Sequence, residues 1–199
     1  LTYTKVMEGS TPEYLSVVVD STGESIFEGR KLVEPSNPRA FRVSPATAVR
    51  IFHLAADLNY FESVDLESHK KVANLGRKTF TYEQGGRKNR AEFNYTLRRP
   101  AQQLVEVFEK IAAVQQHVMA LEYATKYDHL RLPQHLKQIQ IDLDRKALAE
   151  PGLLVPALEQ IARNRRFLNI AQTGARRLLE RIQDGEWSAR VQPAPPEAP

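Results

Sequence analysis

The chain contains no cysteine, which removes disulfides, thiolate chemistry and cysteine-ligated zinc at once. Its compartment is not fixed by that absence. No apolar run approaches the roughly 18 residues that a membrane-crossing helix needs, so no transmembrane segment is expected. The five histidines (His53, His69, His117, His129 and His135) form no HExxH pattern, and none stands four residues from another. A metal site would therefore need carboxylates brought in by the fold. There is no GxSxG nucleophile turn. Gly85-Gly86 lacks the Lys-Ser/Thr that completes a phosphate loop. The sequence thus assigns no catalytic residue, no metal site and no cofactor.

What is present suits an ordinary soluble domain. At 199 residues the chain can form one substantial domain, or a compact domain with a helical extension. Folding at this size buries roughly 70% of the unfolded surface without a staple. The chain opens on Leu1 rather than Met, which reads as a processed or trimmed product, with a removed signal peptide as one explanation. Net charge is +4 and unevenly placed. Lys70, Lys71, Arg77, Lys78, Arg87, Lys88, Arg90, Arg98 and Arg99 are opposed in their segment only by Glu83 and Glu92. Any electrostatic steering is expected from this stretch.

Texture changes at Pro100. Before it, short alternating runs bounded by Gly, Pro and Asn predict strands over Leu1–Glu8, Glu13–Asp20, Ser25–Val33 and Ala40–Val43, with Gly29 marking a bulge. Ser44-Pro45 supplies an N-cap oxygen and a first-turn proline, so a helix should run to about Asn59-Tyr60-Phe61 and lie across the sheet. A polar loop, Glu62–Gly76, precedes strands Arg77–Gln84 and Arg87–Leu97. Gly85-Gly86 joins them as a hairpin turn. In the second strand Ala91, Phe93, Tyr95 and Leu97 share the core face, while Lys88, Arg90, Glu92 and Asn94 share the other. After Pro100 come a long amphipathic helix, a helix from Pro133, and a pair over Leu153–Arg163 and Phe167–Gln183 that resembles one α-solenoid unit. No internal period emerges. From Val191 the sequence is Pro-rich and expected to be disordered.

Several patterns could carry function, each with a plainer reading beside it. The cationic hairpin is the leading partner-binding candidate, through Lys78, Lys88, Arg90, Arg98 and Arg99. Phe80, Tyr82, Phe93 and Tyr95 interleave with it, as on a single-strand-binding surface. Alternation, however, places Phe93 and Tyr95 opposite Lys88 and Arg90, so a solvated strand face that discourages edge pairing is the plainer reading. Arg163, Arg165, Arg166, Arg176, Arg177 and Arg181 could suggest a helix-turn-helix, but Gln172 and Thr173 fit a base-reading face only loosely. Glu159 and Glu180 can pair with several of these arginines. Asp57, Glu62, Asp65 and Glu67 could form an acid–base pair, though a polar loop after a helix explains them as well. Asn94-Tyr95-Thr96 is a formal glycosylation sequon.

Pro12-Glu13-Tyr14, Phe27-Glu28-Gly29, Ser44-Pro45 and Tyr60-Phe61 occur in an order that resembles a family of small bacterial α+β domains of unknown function, often found in predicted lipoproteins or exported proteins. The resemblance covers about the first 115 residues. It implies an α+β sandwich and leans toward a periplasmic or secreted setting, but it supplies no activity. Many members carry a cysteine pair before the Pro-x-Tyr strand, where this chain has Gly9-Ser10-Thr11, so no role of that pair carries over.

The expectation is an α+β fold: an antiparallel sheet packed by two helices over 1–125, a C-terminal helical bundle over 126–186, and a Pro/Ala-rich tail over 187–199. The expected function is non-enzymatic protein binding or scaffolding in the bacterial cell envelope, with a protein as partner. The alternative is nucleic-acid or other polyanion binding through 70–99, and a third is a hydrolase built on carboxylates with His53 or His69. Oligomeric state is not legible.

Overall fold

The computed structural model describes residues 1–185, so the expected tail over 187–199 lies outside the described residues. The fold is α+β. Strands β1 (Thr2–Val6), β2 (Tyr14–Val19), β3 (Glu24–Arg30), β4 (Arg39–Arg42), β5 (Arg77–Gln84) and β6 (Arg87–Phe93) form one antiparallel sheet in the order β4-β3-β2-β1-β5-β6. The helices are α1 (Pro45–Ala56), α2 (Arg99–Tyr127), α3 (Leu132–Asp144), α4 (Val155–Arg163) and α5 (Asn169–Gln183). Two compact units, Leu1–Gln116 and His117 onward, part within α2. Sequence texture placed that boundary after residue 125. A helix that runs on without Gly or Pro offers no punctuation to mark it.

The first unit has its core on one face of the sheet. Phe27, Val17, Tyr3, Phe80 and Ala91 are cross-strand neighbours in register, and all are buried. Phe108 of α2 stacks on Tyr3 with ring centroids 5.4 Å apart, and Phe61 stacks on Phe80 at 5.1 Å. Helix α1 adds Ile51, Leu54 and Ala55 to the core, and its N-cap is the expected one, with Ser44 Oγ accepting from Thr47 N at 3.2 Å. On the opposite face Thr2, Thr4, Val18 and Thr81 are partly exposed, and Ile26, Arg90 and Glu92 are open to solvent.

Three local expectations need correction. Gly29 marks no bulge: it pairs in register with Leu15, and a Cβ there would lie 2.9 Å from the Phe27 ring, which occupies that space. Strand β6 ends at Phe93 rather than Leu97, because Asn94 N donates to Glu67 Oε2 and Ser68 N donates to Tyr95 O. Tyr95 is then half-buried, and Leu97 is exposed instead of facing the core. Helix α1 stops at Ala56, and Asn59, Tyr60 and Phe61 form a left-handed turn with φ of 50°, 46° and 64°. The Gly85-Gly86 turn behaves as expected, with φ of 56° and 80°.

In the second unit α4 and α5 pack as a hairpin around Ala157, Leu158, Ile161, Ala171, Ala175 and Leu178. Helices α3 and α5 run parallel. Leu136 lies against Gly174 near their N-terminal ends, and Arg181 pairs with Asp144 at 2.8 Å near their C-terminal ends.

Candidate functional site

The cationic segment is less available than its composition implies. Lys88 pairs with its cross-strand neighbour Glu83 at 2.5 Å, and Arg90 pairs with Glu92 at 2.7 Å. Glu92 also lies 3.6 Å from Arg77. Lys78 is withdrawn altogether. It sits on the core face two residues from Phe80, is only 8% exposed, and donates to Leu75 O (3.0 Å), Gly76 O (3.2 Å) and Asn94 O (2.9 Å). Its ammonium has three protons, and these carbonyls take them all. Burial holds the Lys78 pKa below the ordinary lysine range, and Lys5 directly across the strands adds to the effect. Arg98 and Arg99 lie exposed at the start of α2. The aromatics expected to interleave are not a platform either, since Phe80 and Phe93 are buried, and Tyr82 stacks on Tyr60 at 4.4 Å.

A second polar cluster lies between β1 and α2. Glu109 accepts from Lys5 Nζ at 2.8 Å and from Tyr3 Oη at 3.2 Å. Burial, followed by the Glu109 charge, pushes the Tyr3 phenol well above the ordinary tyrosine range. A cleft of about 210 Å³ opens beside Lys5 and Glu109, with Ser10, Thr11 and Gln116 in its wall. Ser10 is the hydroxyl a catalytic reading would choose. Its Oγ lies 2.7 Å from Met7 O and 2.6 Å from Pro12 O, so its proton is directed at backbone carbonyls rather than at a base.

The histidines and carboxylates are scattered. His53 faces Asp57 at 3.5 Å and His69 faces Asp65 at 2.6 Å, both in solvent-exposed pairs. The Asp65 hydrogen bond raises the His69 pKa and lowers that of Asp65. Glu67 is occupied by the backbone N–H groups of Asn94 and Ser68. In the second unit His117 bonds Asp142 at 2.9 Å, and His129 bonds Thr125 O at 2.8 Å. Among the described residues no three metal-ligating side chains converge. The sequon amide is also engaged: Asn94 Oδ1 accepts from Leu75 N, and its Nδ2 donates to Ala73 O. Of the late arginines, Arg163 pairs with Glu159 as expected, Arg181 with Asp144, and Arg176 donates to Ala162 O.

Arg177 belongs to a site that sequence reasoning missed. Helices α3 and α5 border a groove of about 650 Å³. Leu136, Ile170 and Gly174 give it apolar surface, and Gln134, Lys137, Gln140, Asn169, Thr173 and Arg177 line the rest. No carboxylate lines it, and neither Lys137 nor Arg177 forms an ion pair among the described residues. Ile170 is 68% exposed. The signal in the sequence was Gly174, alone inside an otherwise good helix. Comparison with known proteins gives no matching family model, no matching curated protein and no matching solved structure.

Proposed function

We propose that this chain is a non-enzymatic protein-binding module whose partner seats on the α3–α5 groove. One observation carries the reading: the groove joins exposed apolar surface to amide, hydroxyl and cationic side chains, and among the described residues it holds no nucleophile–base pair and no carboxylate. Such a lining has the chemistry of recognition, with apolar contact for affinity and polar groups for orientation. A carboxylate–histidine hydrolase has less support, because the His53–Asp57 and His69–Asp65 pairs are both exposed to solvent. Polyanion binding also has less support, because Lys78 is buried and Lys88 and Arg90 are already paired. The family resemblance of the first 115 residues adds a bacterial envelope setting to the proposal.

The absence of cysteine makes the test direct. A single Ile170→Cys variant carrying a photocrosslinker should trap a discrete protein from native extract, insensitive to nuclease and to moderate salt. The same label at exposed Leu32 should not trap it. Identical products from both positions would overturn the reading, as would a product that disappears with nuclease.

A further inference from the structure

We infer that the occupant of the α3–α5 groove is an amphipathic helix of a partner protein, with acidic residues on both flanks of its apolar stripe. This inference rests on the partner-binding reading above and makes its occupant specific.

The backbone argues for a helix. Both walls of the groove are helices, whose N–H and C=O groups are used internally beyond the first turn. An extended peptide lying there would find no strand edge to satisfy its own backbone, whereas a helix brings its backbone already satisfied. The lined stretches, 133–140 on α3 and 169–177 on α5, span about 12 Å each at the helical rise. That length accepts about two turns of a third helix, anchored by apolar residues at i, i+4 and i+7.

Gly174 gives a separate argument. Glycine inside a helix costs about 1 kcal/mol relative to alanine. Nothing in the packing demands it, since a Cβ at Gly174 would meet Leu136 Cδ1 at 3.5 Å, an ordinary contact, and its φ is not in the left-handed region. What the missing side chain does is keep the groove open beside Leu136 and Ile170.

Charge selects the partner. Lys137 stands on the α3 side and Arg177 on the α5 side, with no acid lining the groove among the described residues. Because α3 and α5 are parallel, the positive ends of both helix dipoles lie at one end of the groove and reinforce the same sign. A helix with glutamates or aspartates on both sides of its stripe meets complementary charge on each wall, and a basic helix meets repulsion.

The test uses the full chain, isotopically labelled, and two synthetic helical peptides of about fourteen residues with the same leucine stripe, one flanked by glutamates and the other by lysines. The glutamate peptide should shift the backbone amides of α3 and α5, and its affinity should fall as salt rises. Lys137→Glu with Arg177→Glu, both at exposed sites, should reverse the preference by roughly tenfold or more. Gly174→Met should block either peptide, while Gly174→Ala reports whether a lone methyl disturbs the fold. Equal binding of both peptides would overturn the acidic assignment and leave partner binding standing. A persistent Ile170 crosslink with no response to either peptide would overturn the helical occupant alone. Shifts confined to Lys70–Arg99 would overturn the groove as the site.

Discussion

Lys78 keeps its charge where charge is costly because backbone oxygens replace water around it. Replacing it by methionine keeps the stem but leaves the carbonyls of Leu75, Gly76 and Asn94 without their shared donor. Stability should fall by about 1–3 kcal/mol, read as a lower urea midpoint, whereas Lys88→Met on the open face should change little. Tyr3 gives a spectroscopic counterpart. Its folded pKa is raised by burial and by Glu109, so its contribution is complete below the unfolded tyrosine value of about 10 and is lost as pH climbs above it. Ultraviolet titration should show one phenol ionising only as the fold opens, and Tyr3→Phe should abolish that step. The inward position of Lys78 was legible, since it shares strand parity with Phe80. The basic run drew attention to composition when alternation held the answer. The three carbonyls that receive it come from residues 75, 76 and 94, and no local pattern announces such convergence.

Helix α1 and the turn after it separate what local sequence controls from what it does not. Ser44-Pro45 starts the helix and Gly85-Gly86 turns the hairpin through intrinsic preferences, so both could be read directly. The left-handed turn at Asn59–Phe61 costs roughly 1–2 kcal/mol per residue. It persists because Phe61 stacks on Phe80, Tyr60 stacks on Tyr82, and Asn89 Nδ2 donates to Tyr60 O at 3.1 Å. Those partners lie far along the chain, which is why the turn reads as a plain helix end. Asn59 suits it best of the three, as asparagine tolerates this region. Asn59→Val should lower stability by about 1–2 kcal/mol and Asn59→Gly should not, in thermal melts of the two variants. Helix α3 carries a pH response. Burial lowers the pKa of His135, with His117 and Arg131 adding to the shift and Asp128 opposing it. Below about pH 6.5 the unfolded chain therefore takes up a proton that the folded chain resists, so stability falls as pH drops through that window. His135→Gln should flatten the decline in denaturant midpoint measured toward about pH 5.5.

Across the whole chain, the positive net charge suggests a polyanion binder, yet in its densest cationic stretch Lys78 is buried and Lys88 and Arg90 already face carboxylates. Retention on immobilised heparin should be weak and lost at modest salt, and Lys88→Gln with Arg90→Gln should alter it little, because each replaced cation already faces Glu83 or Glu92. Strong retention removed by that pair of changes would reinstate the hairpin as the binding surface. Fold class was legible at this scale because periodicity switches from two to about 3.6 near Pro100, while the groove was not, because it arises from two helices brought parallel by a third. The sheet, with its buried row on one side only, has a further consequence. Its strands should show a mutational tolerance that alternates residue by residue. Positions 3, 17, 27 and 80 should reject polar replacements, while 2, 4, 18 and 81 should accept them. Ser16 and Thr79, on the tolerant side yet buried, should break the rhythm. In a saturation library the sheet would read as a barcode of inheritance, with alternate letters free to drift and the rest held fast.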